Sequence, residues 1–188
     1  ISIQVKKIDP LNLNVIDIGA GYGESTLAIA KSDSGKEIIA CEKFIDGINN
    51  IAEKSFLHSL NNISIFHGNF HQLLDEYCPH NSISEIWILF PDPWPKKRHF
   101  KRRLININFF NKIRDFLKKN ATIHIASDSK SYISDILLSV YHVKKEFKWM
   151  NQNKNEWDYL NMPLPQTKYF KKAFKKGLSP IYLKLIKY

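Results

Sequence analysis

DIGAGYGES, at residues 17–25, is a glycine-rich turn that follows a short apolar run and precedes a helical pattern. Its spacing is Gly-x-Gly-x-Gly, with glycines at Gly19, Gly21 and Gly23 and an acid, Asp17, two residues before the first. Glycine lets the backbone turn sharply and approach a ligand closely. A turn of this kind between a strand and a helix predicts a ligand site at the carboxyl edge of an open α/β sheet.

Outward from this turn, short apolar runs alternate with segments of helical periodicity. This alternation predicts βαβ units and an α/β fold, with a mostly parallel sheet covered by helices on both faces. The predicted strands are 14–18, 37–42, 63–67, 83–90, 121–126, 143–149 and 181–187. The predicted helices are 24–31, 45–56, 72–77, 109–117 and 129–141. The polar segment 150–166 is predicted to be a long loop, and loops of that length are often functional.

The length of 188 residues predicts a single domain, with residues 1–13 as a short N-terminal segment. A composition of 44% hydrophobic and 24% charged residues excludes disordered and collagen-like classes. No apolar run approaches the ~18 residues of a membrane span. Cys41 and Cys78 are expected to be buried free thiols in a reducing, cytoplasmic compartment.

The formal net charge is +10, and the positive charge is concentrated in two stretches. Residues 96–103 (KKRHFKRR) and residues 168–176 (KYFKKAFKK) contain many lysines and arginines and no acid, whereas the remainder of the chain is near neutral. Localised positive charge indicates a polyanionic partner such as a nucleic acid. The alternative is that both stretches are solvated faces that aid solubility.

The residues around the glycine turn indicate which nucleoside ligand it binds. The dinucleotide fingerprint has glycine at its first, third and sixth positions, but the sixth position here is Glu24, which would repel a pyrophosphate. The pattern favours a nucleoside with a cationic or zwitterionic tail, such as S-adenosylmethionine, over the cofactor of a nicotinamide-dependent oxidoreductase. Glu42 ends the second predicted strand and can accept both ribose hydroxyls, while Asp17 can hold the amino group of the ligand.

The fourth predicted strand runs into FPDPWPKKRH, at residues 90–99. Three prolines stiffen this segment, so that Asp92 and Trp94 are presented with little conformational freedom. The Asp92 carboxylate can accept hydrogen bonds from guanine N1–H and N2–H₂ together, and the Trp94 indole can stack on a base. The cations that follow can contact phosphates.

These residues carry a resemblance that extends from about Val15 to Leu185. On residues 90–99 with KRR at 101–103, IGAGYG at 18–23, ASD at 126–128 and TKY at 167–169, the sequence resembles the tRNA (guanine-N7-)-methyltransferase family. The resemblance implies a Rossmann-like class I methyltransferase fold with a seven-stranded sheet. It also implies S-adenosylmethionine as cofactor and methyl transfer to N7 of a guanosine in the tRNA variable loop.

The residues above, together with what the resemblance implies, predict site residues of three kinds. The candidate S-adenosylmethionine-binding residues are Asp17, Gly19, Gly21, Gly23, Glu42, Asn69 and Asp92. The candidate tRNA-binding residues are Lys96, Arg98, Lys101, Arg102, Arg103, Asp128, Thr167 and Lys168. Asp92 is the candidate catalytic residue, because a carboxylate there would stabilise the positive charge that develops on the methylated base. We expect a monomer or a homodimer.

Phe170 and three histidines bear on two other functions, a tRNA-binding protein without full activity and a metal-binding protein. The family has a glutamate where this chain has Phe170, which raises the alternative of a catalytically weakened tRNA-binding protein with the same fold. His67, His71 and His80 lack the spacing of a metal-binding helix motif, so no metal site is predicted.

Overall fold

The computed structural model describes residues 8–161 and 166–188 and contains one seven-stranded sheet. Its strands are β1 (Leu13–Ile18), β2 (Lys36–Glu42), β3 (Ile63–His67), β4 (Ile83–Leu89), β5 (Leu117–Ser127), β6 (Phe147–Trp149) and β7 (Ile181–Lys187). Their order across the sheet is β3-β2-β1-β4-β5-β7-β6. Strands β1 to β5 are parallel, and β7 is antiparallel to both β5 and β6. The predicted mostly parallel sheet is therefore confirmed.

Helices cover both faces of this sheet, as predicted. They are α1 (Glu24–Ser32), α2 (Ile45–Leu57), α3 (Phe70–Tyr77), α4 (Ile107–Ile113), α5 (Lys130–His142) and α6 (Lys168–Lys175). Side chains of α3, α4 and α5 pack against one face in the largest apolar cluster, and those of α1, α2 and α6 pack against the other. Because strand side chains alternate between faces, Val15 belongs to one cluster and Ile16 to the other.

Several helices begin where a polar side chain can satisfy a free backbone N–H at the helix start. In each of four helices the side-chain oxygen accepts from the residue three positions on: Asn69 for α3, Asn106 for α4, Ser129 for α5 and Thr167 for α6. Such caps contribute about 1 kcal/mol each. They fix where each helix starts relative to the carboxyl edge of the sheet, and therefore where the adjacent loops lie.

A buried polar network joins strands on the α1 side of the sheet. The His124 ring lies flat on the Trp87 indole, with 3.7 Å between centroids, and one ring nitrogen is 3.0 Å from a Glu85 oxygen. The other ring nitrogen bonds the Tyr182 hydroxyl, and Lys36 pairs with Glu85 at 2.9 Å. Burial lowers the pKa of His124, so the ring is neutral, donating to Glu85 and accepting from Tyr182. Burial alone would raise the pKa of Glu85, but hydrogen bonds from His124 and Lys36 outweigh it and lower that pKa to about 2.

The prediction for the segment 109–121 was partly wrong. Helix α4 ends at Ile113, and Leu117, which the sequence places on the helix face, is the first residue of β5. The polar run from Lys118 to Asn120 conceals this early start, since such residues are depleted in strands. Asn120 has a φ of 62°, and the β4–β5 register shifts beside it, so the strand bends there and resumes.

The C-terminal third also differs from prediction. Strand β6 spans three residues and not 143–149, because Val143 closes α5 with its N–H bonded to the carbonyls of Ser139 and Val140. Helix α6 was not predicted. The segment expected to be a loop contains two short 3₁₀ turns at Lys154–Trp157 and Tyr159–Asn161, while its prolines at 163 and 165 lie outside the described residues.

Two further expectations concern burial and membranes. Cys41 and Cys78 are buried free thiols, as predicted, and burial raises the pKa of each to about 12. Within residues 8–161 and 166–188, no helix has both the length and the apolar character that crossing a membrane requires.

Candidate active site at the carboxyl edge of the sheet

The glycine turn after β1 is fixed over the end of β2 by backbone hydrogen bonds. The amides of Gly19 and Ala20 donate to the Cys41 carbonyl at 2.8 and 3.3 Å. Gly23 has a φ of 80°, and a Cβ added there would lie 2.4 Å from Cγ1 of Ile51 on α2. The turn therefore requires glycine at this position both for its backbone conformation and for the close approach of α2.

Glu42, at the end of β2, is the acid that binds this turn. One of its carboxylate oxygens accepts from the Gly21 amide at 2.7 Å, and the other accepts from the amides of Lys43 and Phe44 at 2.6 and 2.9 Å. Gly47 of α2 packs directly on the turn, since a Cβ there would lie 2.3 Å from the Gly21 carbonyl oxygen. The Glu42 carboxylate is thus held in one orientation at the wall of a cavity.

Asp17 lies behind that wall. Its side chain is 1% exposed, and one carboxylate oxygen accepts from the hydroxyls of Ser25 and Thr26 at 2.6 and 2.7 Å. Burial raises the pKa of Asp17, and the two hydroxyl hydrogen bonds oppose that shift. The carboxylate therefore secures the first turn of α1 beneath the glycine turn.

The cavity has a volume of about 930 Å³, within the range of small-molecule sites. It lies at the carboxyl ends of β1 to β4, and residues from the start of α6 close it. Nine of the predicted site residues line it: Gly19, Gly21, Glu42, Asn69, Asp92, Lys101, Arg102, Arg103 and Lys168. Six others lie outside its lining: Asp17, Gly23, Lys96, Arg98, Asp128 and Thr167.

The proline-rich loop after β4 forms one wall. Asp92 is exposed on it, between Phe90 and Trp94, whose φ angles are 54° and 43°. Positive φ is rare for aromatic residues and costs about 1–3 kcal/mol each. The loop is therefore held in a strained conformation that the surrounding structure must maintain. The Phe90 amide supplies one restraint by donating to the Ala126 carbonyl at 2.8 Å.

A cationic 3₁₀ helix, Lys97–Arg102, follows this loop. The Arg102 guanidinium carbon lies 4.9 Å from the centre of the Trp94 ring, and the His99 ring stands nearly perpendicular to that ring, with 5.9 Å between centroids. Arg98 in this helix and Lys96 just before it are exposed and do not line the cavity, whereas Lys101 and Arg102 border it. The cations thus extend from the cavity mouth on to the open surface.

Arg103 corrects one expectation. The sequence groups it with the phosphate-binding cations, but its side chain is 2% exposed and forms an ion pair with Asp135 of α5. Its Nε donates to the Pro93 carbonyl at 2.8 Å. A guanidinium that is engaged in these internal hydrogen bonds and this ion pair is not free to bind a phosphate.

The start of α6 closes the cavity from the opposite side. The Lys168 amide donates to the Glu24 carboxylate, and its ammonium lies 4.6 Å from the centre of the Tyr22 ring. Tyr169 faces the glycine turn, with a ring carbon 3.8 Å from where a Gly21 Cβ would be. Neither Tyr22 nor Tyr169 was predicted as a site residue; the aromatic within the TKY motif at 167–169 was the available signal.

Thr167 and Phe170, which flank Lys168 and Tyr169, stabilise α6 and its packing. Thr167 is 5% exposed, and its hydroxyl caps α6 by accepting from the Phe170 amide at 3.2 Å. The Phe170 ring is 3% exposed and stacks on Tyr159, with 4.6 Å between centroids. The residue that replaces the family glutamate therefore lies in the core and not on the cavity wall.

Two further expectations concern Asp128 and metal binding. Asp128 is half-buried just beyond β5. In the described part of the chain, no three His, Cys, Asp or Glu side chains cluster as a metal site would require; His67, His71 and His80 are all exposed.

Comparison with solved structures identifies the class of fold. Solved structures with the same architecture include an rRNA methylase from Streptococcus thermophilus, with a TM-score of 0.60 and 17% identity, covering 96% of this chain and 89% of that one. A putative methyltransferase from Streptococcus mutans, in complex with SAH, has a TM-score of 0.59 and 15% identity, with coverages of 94% and 89%. The seven-stranded sheet with its glycine turn has the Rossmann-like class I methyltransferase fold.

Sequence comparison narrows the class. A family described as a putative methyltransferase matches residues 12–183. The tRNA (guanine-N(7)-)-methyltransferase of Ruegeria pomeroyi is 31% identical over 182 residues, 93% of this chain and 76% of that protein. The enzyme of the same name from Nitrosomonas europaea is 34% identical over 165 residues, with coverages of 87% and 71%. The chain belongs to the tRNA (guanine-N7-)-methyltransferase family, whose cofactor is S-adenosylmethionine.

Proposed function

We propose that this chain transfers the methyl group of S-adenosylmethionine to N7 of a guanosine in tRNA, and that the guanosine lies in the variable loop. The observation that carries the proposal is the position of Asp92 and Trp94 on the same cavity as Glu42 and the glycine turn. A carboxylate and an indole at one end of a nucleoside-binding cavity suit a second, purine substrate.

The residues present fit S-adenosylmethionine. The Glu42 carboxylate is already oriented by three backbone amides and can accept the ribose hydroxyls. The Asn69 side-chain oxygen caps α3, which leaves its amide nitrogen to donate to the adenine edge. Tyr169, across from the glycine turn, supplies an aromatic surface for the ligand.

The chemistry requires positioning more than proton transfer. Bound S-adenosylmethionine supplies an electrophilic methyl group on a positively charged sulfur. Guanine N7 carries an in-plane lone pair and no proton, so it would accept that methyl group without the help of a general base. Asp92 accepts from the guanine edge, which orients N7, and its negative charge stabilises the cationic base that forms.

The surface beside the cavity suits a folded RNA. Lys101 and Arg102 border the cavity, and the exposed lysines of α6 continue the positive charge from its opposite side: Lys171, Lys172 and Lys175. The buried face of α6 holds Phe170 and Ala173, so its cations face outward. Phosphate contacts of this kind position an RNA without reading its sequence.

Two alternatives lose their support. Glu24 at the start of α1 accepts from the Lys168 amide and places a negative charge where a dinucleotide pyrophosphate would lie, which disfavours a nicotinamide cofactor. Phe170 belongs to the core and gives no polar group to the cavity wall, but membership of an enzyme family supports an active enzyme over a tRNA-binding protein that has lost activity.

The test is methyl transfer from labelled S-adenosylmethionine to an unmodified tRNA transcript, followed by nuclease digestion and mass identification of the nucleoside. We expect 7-methylguanosine. A matched transcript with adenosine in place of the variable-loop guanosines controls for the site and should give no product. Transfer to another base or another atom would contradict the proposal, as would cofactor binding without transfer to any tRNA.

A further inference from the structure

Arg103 is a charged side chain inside the protein, at the end of the most basic stretch of the sequence. It follows the 3₁₀ helix at the cavity mouth, yet its side chain is 2% exposed. Burying a cation is costly unless it is paired and hydrogen-bonded. Its contacts therefore show what the cation holds together.

Those contacts join two separate parts of the site. On one side, Nε donates to the carbonyl of Pro93 in the strained loop at 2.8 Å. On the other, the guanidinium donates to the Ser131 carbonyl at 3.2 Å and to the Ser131 hydroxyl at 2.9 Å, and it pairs with the Asp135 carboxylate. One planar group thus ties the loop to the first two turns of α5.

Aromatic rings fix the plane of this guanidinium. Its carbon lies 3.6 Å from the centre of the Phe100 ring and 4.9 Å from that of Tyr132. The Tyr132 hydroxyl is itself held, because it accepts from the Ile105 amide at 2.8 Å. Burial raises the pKa of Tyr132 to about 12, so the phenol stays neutral beside the cation.

The hydrogen bond from Arg103 to Pro93 reaches the middle of the proline-rich loop after β4. Pro93 stands between Asp92 and Trp94 and has no N–H, so its carbonyl is its one backbone hydrogen-bonding group. Trp94 keeps a φ of 43°, a conformation that persists where the surroundings over-determine it. We propose that Arg103 is a positioning residue, which holds the loop so that Asp92 and Trp94 face the methyl-transfer site.

This inference rests on the proposed function, and its test is a comparison of variants with an active wild type. The variants are Arg103→Met, Arg103→Lys and Asp135→Asn, of which the last alters the far end of the contact without changing the cavity. Arg114→Met removes an arginine that is 45% exposed and paired with its neighbour Asp115, and it serves as the control. Each variant is assayed for single-turnover methyl transfer, Kd for S-adenosylmethionine, and Kd for tRNA against salt.

We expect the single-turnover rate to fall about 100-fold in Arg103→Met, since a misplacement of about 1 Å can cost that factor. Asp135→Asn should lose roughly tenfold, and Arg103→Lys should lie between the two because an ammonium cannot donate to both sides. The cofactor Kd and the slope of tRNA affinity against salt should stay within twofold of wild type. Arg114→Met should behave as wild type throughout.

Two outcomes would overturn the inference. A shallower salt slope in Arg103→Met with an unchanged single-turnover rate would make Arg103 a phosphate contact. A lowered Tm with a normal rate, measured well below that Tm, would make the contact merely structural. If Arg103→Met does not fold, Asp135→Asn decides by the same criteria. A wild type that forms no 7-methylguanosine would instead defeat the proposed function.

Discussion

The backbone nitrogen of Gly21 lies 2.7 Å from a carboxylate oxygen of Glu42, so the turn after β1 is bonded to the end of β2 through a side chain. The same carboxylate accepts from the amides of Lys43 and Phe44. Its orientation is therefore fixed before a ligand arrives, which reduces the entropy lost when a nucleoside binds.

Glu42→Gln should weaken cofactor binding. The glutamine amide nitrogen cannot accept from the backbone amides that the carboxylate now satisfies, and the variant also loses charge-assisted bonds to the ribose. Bonds of that type contribute about 1.5–3 kcal/mol each, so we expect the Kd for S-adenosylmethionine to rise by roughly 10- to 100-fold. Calorimetric titration measures it, with Glu53→Gln on the exposed side of α2 as control. An unchanged Kd would exclude Glu42 from the cofactor site.

Asp92→Asn should abolish most turnover and leave cofactor binding nearly intact. The substitution keeps the shape of the side chain but removes the charge that stabilises the cationic base, at a cost of about 100-fold or more in rate. Single-turnover assays with saturating tRNA isolate this step from product release. Asp33→Asn, an exposed carboxylate beyond the end of α1, is the matched control. A near-normal rate in Asp92→Asn would refute its catalytic assignment.

Lys101→Gln with Arg102→Gln should weaken tRNA binding and flatten its salt dependence. Each phosphate contact contributes roughly 0.7–0.9 to the slope of log K against log salt, so the pair should lower the slope by about 1–2. Filter binding at several salt concentrations measures it. The control is Lys31→Gln with Lys145→Gln, two exposed cations, one in the last turn of α1 and one beyond the C-terminal end of α5. Equal slopes in the two double variants would place the RNA surface elsewhere.

Acid should destabilise the protein through Glu85 and His124. The pKa of Glu85 is about 2 in the folded state, below its ordinary value of about 4.3. The carboxylate therefore stabilises the folded state fully at pH values above about 4.3. This stabilisation is lost as pH falls from about 4.5 towards 2. The pKa of His124 is also lowered by burial, so below about pH 6.5 the unfolded state takes up that proton first and stability falls again.

Glu85→Gln isolates the carboxylate part of this effect. We expect the free energy of unfolding at neutral pH to drop by about 2 kcal/mol, less than for fully buried pairs because Lys36 is 27% exposed. The decline between about pH 4.5 and 3 should also become shallower. Urea unfolding across that range measures both quantities, against Glu53→Gln as control. An unchanged acid slope would show that another carboxylate dominates.

The position of the candidate site could be predicted from sequence because its signals are local. A turn is predicted by the backbone freedom of Gly19, Gly21 and Gly23, and Glu42 lies at the end of the next apolar run. Parallel strands bring their carboxyl ends to one edge, so these residues had to meet. The same logic placed Asp92, since the apolar run of β4 leads directly into its loop.

The roles of Arg103 and Tyr169 did not follow in this way. Arg102 and Arg103 are adjacent and identical in type, and which guanidinium turns inward depends on Asp135 and Ser131, about thirty residues away. Tyr169 lines the cavity because its neighbour Phe170 packs α6 into a cluster that contains Val15 and Trp87, which are distant in sequence. The sequence shows which residues are charged or aromatic, but it does not show which partner each side chain contacts in the fold.

Strand β7 has a further consequence for how the protein is made. It lies between β5 and β6 in the sheet, although it is the last strand in the chain. A nascent polypeptide that has not yet released residues 181–187 leaves one side of β5 open and β6 without its neighbour. Synthesis from the N-terminus therefore produces β1 to β5 well before the sheet can be completed, so a polypeptide that ends prematurely exposes an unpaired side of β5 that favours aggregation.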